Sequence, residues 1–75
     1  MTLEVRLFAY LRENRGKKVY LEVSEGVTTV QNVVDQLEIP PEHLSLILIN
    51  GRDGNLTSTF CEGDYLTIFP PVGGG

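Results

Sequence analysis

The residues from Phe69 to Gly75 read Phe-Pro-Pro-Val-Gly-Gly-Gly, and the chemistry they offer belongs to the backbone. Pro70 and Pro71 lack the N–H that a strand ladder needs and start the following segment in a stiff, extended direction. Gly73, Gly74 and Gly75 then remove every Cβ, so the chain can thread a channel too narrow for other residues. Six extended residues reach about 20 Å, and the group that arrives first is the α-carboxylate of Gly75. A plain glycine-rich end has the same composition. The rest of the chain must therefore decide what the tail means.

Side chains offer less chemistry. Cys61 has no basic neighbour in sequence to favour a thiolate, and free cysteines mostly behave as small apolar residues, so it is expected to pack. His43 stands alone, without a second ligand at metal spacing, and suits a surface or capping role. Asp53-Gly54-Asn55 lacks the remaining acids of a calcium loop, and Asn55-Leu56-Thr57 matches a glycosylation acceptor that has meaning only in a secreted chain. One His and one Cys support no nucleophile–base set. Arg12, Arg15, Lys17 and Lys18 cluster near a turn, where a solvated loop is expected ahead of a phosphate site. No glycine loop ending in Lys-Ser/Thr is present to hold a nucleotide.

The bounds agree with this sparse inventory. Seventy-five residues, 41% of them hydrophobic, with one Cys and no Trp, make one small domain that closes a core without a deep cleft, which disfavours enzymes that enclose their substrate. A single thiol forms neither an internal disulfide nor a four-cysteine cluster. No apolar run spans a membrane and no secretory leader follows Met1, so a cytoplasmic location is expected. The net charge of −4 hides an asymmetry. Residues 1–18 carry Arg6, Arg12, Arg15, Lys17 and Lys18 against Glu4 and Glu13, while residues 19–75 carry Arg52 against eight acids. Nucleic acid is an unsuitable ligand for an acidic chain, whereas a basic protein partner suits it; solvated charge that keeps a small protein soluble is the alternative.

The elements that must position these groups follow from periodicity. Thr2–Ala9 alternates, with Leu3, Val5, Leu7 and Ala9 on one side, so it reads as a strand with one buried face. Phe8 is the misfit, since it falls on the side of Glu4 and Arg6. Val19, Leu21 and Val23 alternate after a polar turn and return antiparallel as a second strand. Val30, Val33, Val34 and Leu37 fall at offsets of zero, three, four and seven, one face of a helix, with Thr28 and Gln31 as its capping box. Pro40-Pro41 ends that region. Leu44–Ile49 reads as a strand with both faces covered, Asn50-Gly51 and Asp53-Gly54 as turns, Asn55–Phe60 as a possible short edge strand, and Tyr65–Phe69 as the last strand. A single helix covers one sheet face, so an α+β roll with an open face follows, with residues 1–69 as its body and 70–75 as a flexible tail.

Phe8-Ala9-Tyr10-Leu11-Arg12-Glu13, Asn50-Gly51, Gly63-Asp64 and the terminal Phe69-Pro70-Pro71-Val72-Gly73-Gly74-Gly75 together resemble the MoaD/ThiS sulfur-carrier family over the whole chain. The first of these motifs is most similar to the molybdopterin synthase small subunit, and the short link between helix and third strand to the thiazole carriers. The resemblance implies a ubiquitin-like β-grasp fold, a mixed sheet with one main helix on one face. It implies a carrier or co-substrate, not an enzyme, that binds no cofactor itself. An E1-like adenylyltransferase would use ATP to adenylate Gly75, and a sulfur donor would convert it to a thiocarboxylate. The sulfur would then pass to a molybdopterin precursor held by a synthase large subunit. A thiazole pathway, or conjugation of Gly75 to protein lysines as a ubiquitin-like modifier, uses the same activated end.

In such a sheet the first and last strands are neighbours, so Phe8 and Phe69 would adjoin on the open face at the root of the tail. With Leu56, Pro70, Pro71 and Val72 they are the expected partner-binding residues, and Gly73 and Gly74 the threading residues. The alternative is that each of these side chains packs only against its own strand neighbours.

Overall fold

The computed structural model describes residues 1–71. Its strands are β1 (Thr2–Leu7), β2 (Lys18–Glu22), β3 (Leu46–Ile49), β4 (Arg52–Asp53) and β5 (Tyr65–Phe69), with one α-helix, α1 (Val30–Gln36), and 3₁₀ turns at Ala9–Arg12 and Pro41–His43. They form one mixed sheet in the order β2-β1-β5-β3-β4. β1 and β5 run parallel at its centre, and the other pairings are antiparallel. Leu3, Val5 and Leu7 of β1 and Leu66 and Ile68 of β5 meet Val30, Val33 and Val34 of α1 in the core, with Leu11, Val23, Ile39 and Phe60 closing its edges. The alternation of β1 and β5 and the helical offsets of α1 thus bury Leu3, Val5, Leu7, Leu66, Ile68, Val30, Val33 and Val34 as expected, whereas Leu37 is only half-buried and Ala9, past the end of β1 at Leu7, is exposed.

Several boundaries differ from the sequence expectation. The helix starts one residue later: Thr29, not Thr28, is the N-cap, its Oγ1 accepting the Asn32 N–H at 3.1 Å while Asn32 Oδ1 accepts the Thr29 N–H at 2.9 Å. Thr28 instead accepts the Ser24 N–H, and Gln31 donates to Asp35 one turn on. β3 begins at Leu46 and has one open face, because α1 covers only the other; Leu46 is 42% exposed. Asn50 and Gly51, both at positive φ, make the tight turn between β3 and β4. Asp53-Gly54 is not a turn. Asp53 ends β4, and the Gly54 N–H donates to the Ile47 carbonyl at 2.9 Å.

Asn55–Phe60 is not an edge strand either, its only ladder contact among the described residues being an isolated bridge from Thr59 to Thr29. Its carbonyls have another use. Leu56 C=O and Ser58 C=O accept the Gln31 and Val30 N–H groups, both at 3.0 Å, which satisfies amides that the first helical turn leaves free. The same loop delivers Phe60, fully buried, to the core.

At the other end of α1, Ile39 N–H reaches Val34 C=O at 2.9 Å and Glu38 N–H reaches Asp35 C=O at 3.1 Å, a Schellman closure with Glu38 at φ 59. That left-handed position costs an L-residue about 1–2 kcal/mol, while glycine's extra freedom in the unfolded chain takes back about 0.5–1 kcal/mol. Glu38→Gly is therefore expected to raise stability by about 0.5–1 kcal/mol in urea titration; a lowered midpoint would contradict this account of the helix end.

Candidate functional site

The site begins where β1 stops. Phe8 is still extended, at φ −126 and ψ 157, but Ala9 at φ 53 turns the chain off the sheet into the 3₁₀ turn. The parallel register pairs Leu7 with Ile68, so the next residues along, Phe8 and Phe69, fall side by side on the face without the helix. Their rings stack with centroids 4.4 Å apart and planes 18° from parallel. The Arg12 guanidinium also lies over the Phe8 ring, 4.9 Å from its centroid, held there by Nε donating to the Leu7 carbonyl at 2.7 Å. Leu46 stands opposite Phe69 in the β3–β5 register and Leu48 opposite Thr67. An apolar strip of Phe8, Phe69 and Leu46 therefore crosses three strands at the root of the tail.

Pro70 is buried and Pro71 exposed, so the body extends through the first of the two prolines. Val72, Gly73, Gly74 and Gly75 lie outside the described residues. Leu56 is half-buried and packs against the core through its loop.

Beside the strip, Arg6 pairs with Glu4 and lies over the Tyr65 ring, 3.9 Å from its centroid. The hydrogen bond from Arg6 holds the Glu4 carboxyl below its ordinary pKa against an opposing desolvation effect, and the same bond raises that of Arg6. Lys18 faces Arg6 in the β1–β2 register. Cations thus gather near the tail root, and the chain's general acidity is not what a partner on this strip would meet.

The remaining candidates divide clearly. Cys61 is exposed, contrary to the packing expected of it. It opens the turn that Asp64 closes, with Asp64 Oδ2 accepting the Cys61 N–H at 2.7 Å, and this turn sits outside the core. Arg15 is no anion ligand: its guanidinium donates to the carbonyls of Leu11, Leu37 and Glu38 at 3.1–3.3 Å and ties the β1–β2 loop to the helix end. His43 meets the Tyr10 ring edge-on at 5.3 Å. No group of His, Cys, Asp or Glu among the described residues could hold a metal, and no described helix is long and apolar enough to cross a membrane. Leu46 and Leu48 were missed by sequence reading. The signal was available, since Leu46 and Leu48 alternate with Ile47 and Ile49 and one helix can cover only one of the two faces.

Comparison with known proteins agrees with this geometry. Residues 5–75 match the profile of the ThiS family. The chain is 33% identical, over a 93-residue alignment that covers all of both chains, to small archaeal modifier protein 3 of Haloferax volcanii. The crystal structure of small archaeal modifier protein 1 from the same organism superposes with a TM-score of 0.76 at 30% identity, covering 95% of this chain and 98% of that one. A putative molybdopterin converting factor subunit 1 from Pyrococcus furiosus has the same fold, with a TM-score of 0.76 at 22% identity over 96% and 99% of the two chains. The fold is the ubiquitin-like β-grasp.

Two outcomes follow from the site geometry. Phe8→Ala and Phe69→Ala in a double-mutant cycle should show a coupling of about 0.5–1.5 kcal/mol in chemical denaturation; strictly additive effects would mean that the rings do not support each other. Because the Glu4 pKa is depressed on folding, its contribution to stability is present above the unfolded carboxyl pKa and is lost as pH falls through the folded one. Glu4→Gln should therefore flatten the acid limb of stability against pH, and an unchanged limb would count against the Glu4–Arg6 pair in solution.

Proposed function

This chain belongs to the ThiS family, and on that premise we propose that it is a non-catalytic sulfur carrier whose C-terminal Gly75 is adenylated and then converted to a thiocarboxylate. The observation that carries this reading is the stacked aromatic pair and apolar strip at the root of the Pro-Pro-Val-Gly-Gly-Gly segment. A carboxylate is a poor electrophile. An E1-like adenylyltransferase holding ATP joins the Gly75 carboxylate to AMP and releases pyrophosphate. A hydrosulfide-class nucleophile then attacks the carbonyl, the C–S bond forming as AMP departs.

In this reading Phe8, Phe69 and Leu46 anchor the partner, because desolvated aromatic side chains dominate interface energies. Pro70 and Pro71 aim the segment away from the body. Val72 begins the contact, and Gly73 and Gly74 pass through the narrow part of the partner's channel; Leu56, expected there, instead packs against the core in the loop that caps α1. The sulfur goes to a molybdopterin precursor on a synthase large subunit, in the cytoplasm. Nothing in the body need react, which accords with the exposed but unsupported Cys61.

A second reading is a protein modifier, and the 33% identity to small archaeal modifier protein 3 favours it. Activation is shared. The acceptor is then a lysine amine on another protein, whose attack on the activated carbonyl leaves an isopeptide bond.

Incubation with the cognate activating enzyme, ATP and a sulfur donor should raise the intact mass by one oxygen-to-sulfur exchange, and deletion of Gly75 should abolish the change. An unaltered mass in the presence of a demonstrably active partner would sink the sulfur-carrier reading. Recovery of Gly75 in an isopeptide linkage from cells would select the modifier.

A further inference from the structure

Strand β2 forms one edge of the sheet, with no strand beyond it among the described residues. Its ladder to β1 fixes which of its backbone groups are free. Leu7 N–H donates to Lys17 C=O at 2.9 Å, and Met1 and Val23 exchange bonds at 2.8 and 2.9 Å. In an antiparallel pair such residues alternate with those that point away. Val19 and Leu21 therefore face β1, and the N–H and C=O groups of Lys18, Tyr20 and Glu22 point outward.

The sequence of this edge is Lys18-Val19-Tyr20-Leu21-Glu22, and it is self-complementary about its central residue. We propose that two copies of the chain pair through β2, antiparallel, about a two-fold axis at Tyr20. In that register Tyr20 meets Tyr20 of the second copy, and Lys18 meets Glu22 of the second copy on both sides of the axis. Each of these pairs joins two outward-facing residues, so each exchanges two N–H···O bonds. On the open face the ion pairs flank two tyrosines that are 59% exposed in the single chain. On the helix face the half-buried Val19 and Leu21 cover each other across the new ladder.

The register has no equal neighbour. A slip of one residue sets outward-facing groups against groups already bonded to β1 and turns every side chain to the opposite face. A slip of two opposes Tyr20 to Lys18 or Glu22 and loses both charge pairs. Glu22 keeps capacity for the new partner, since its carboxylate accepts one bond from the Thr2 hydroxyl and lies 3.8 Å from the N-terminal ammonium. Lys18 makes no ion pair among the described residues.

Assembly closes at two copies. The contact is isologous and consumes the β2 edge of both chains. The outer edges are then the two β4 strands, each of only two residues, Arg52–Asp53, which make poor templates for further addition. Both Phe8–Phe69 strips lie on the same side of the continuous sheet. Their β5 strands are about 24 Å apart, five strand spacings, and run in opposite directions, so the two tails leave at opposite ends. The dimer can present two reactive termini to two partners at once.

Sedimentation equilibrium on the full chain, with amide NMR over a concentration series, tests this independently of any sulfur transfer. Wild type should self-associate, with shifts and exchange protection centred on Lys18, Tyr20 and Glu22. Lys18→Glu and Glu22→Lys should each weaken association about ten-fold or more, since each places like charges opposite on both sides of the axis. An equimolar mixture of the two variants should form a heterodimer, and the double variant Lys18→Glu/Glu22→Lys should recover self-association. Tyr20→Asp, which sets two carboxylates on the axis, serves if either reversal fails to fold and should likewise abolish pairing. A wild type that stays monomeric to millimolar concentration, reversals that leave association unchanged, or variants that fail to rescue each other would each overturn the proposal.

Discussion

Parallel pairing of β1 with β5 is the contact on which the rest of this molecule depends. Parallel strands cannot be joined by a tight turn, so everything between Leu7 and Tyr65 is in effect the connection that lets them lie together. On the covered face the pairing sets Leu3, Val5 and Leu7 beside Leu66 and Ile68, all without solvent exposure. On the open face the same register sets Phe8 beside Phe69. Core and candidate site are two faces of one ladder, and a shift of register that spared either would destroy the other.

The helix needs its neighbours. A seven-residue helix is too short to persist alone in water, and α1 carries three β-branched valines on its buried face. Its ends are supplied from outside: loop carbonyls of Leu56 and Ser58 take its first amides, and the Arg15 guanidinium takes the Leu37 and Glu38 carbonyls at its other end. The two least regular stretches of the chain are thus what terminates its most regular one. This is why Phe60, at the end of an unpatterned loop, is among the most buried side chains.

What could be read in advance follows from this division. The alternation of Leu3, Val5 and Leu7, the helical offsets of Val30, Val33, Val34 and Leu37, and the Asn50-Gly51 turn are local signals, legible because the physics behind them is local. The misplaced aromatic, Phe8, was legible because it broke such a pattern, and the break marked the open-face stack with Phe69. Phe60, the choice of Thr29 over Thr28 as cap, and the exposure of Cys61 were not legible. Only the first is decided by residues distant in sequence, through the Gln31–Leu56 and Val30–Ser58 bonds; the cap and the Cys61 turn are closed locally, by Thr29–Asn32 and Cys61–Asp64, through a choice between adjacent threonines and an aspartate closure that no period marks. Leu46 and Leu48 fall between the two kinds, since their alternation was local but only the count of helices shows which face is open.

The motifs on which the family resemblance rests also separate by physical role. Asn50-Gly51 and Gly63-Asp64 lie far apart in sequence and meet in the fold: Asn50 Nδ2 donates to Asp64 Oδ1 at 2.7 Å, and Asn50 Oδ1 accepts the Tyr65 N–H at 3.0 Å. Together they pin the β3–β4 turn to the start of β5 and so set where that strand begins. Register then carries the setting along β5 to Phe69, where Ser45 N–H holds the last carbonyl at 2.9 Å. The groups that the proposed function leaves for a partner lie at the other end of β5, in the aromatic strip and its surrounding cations.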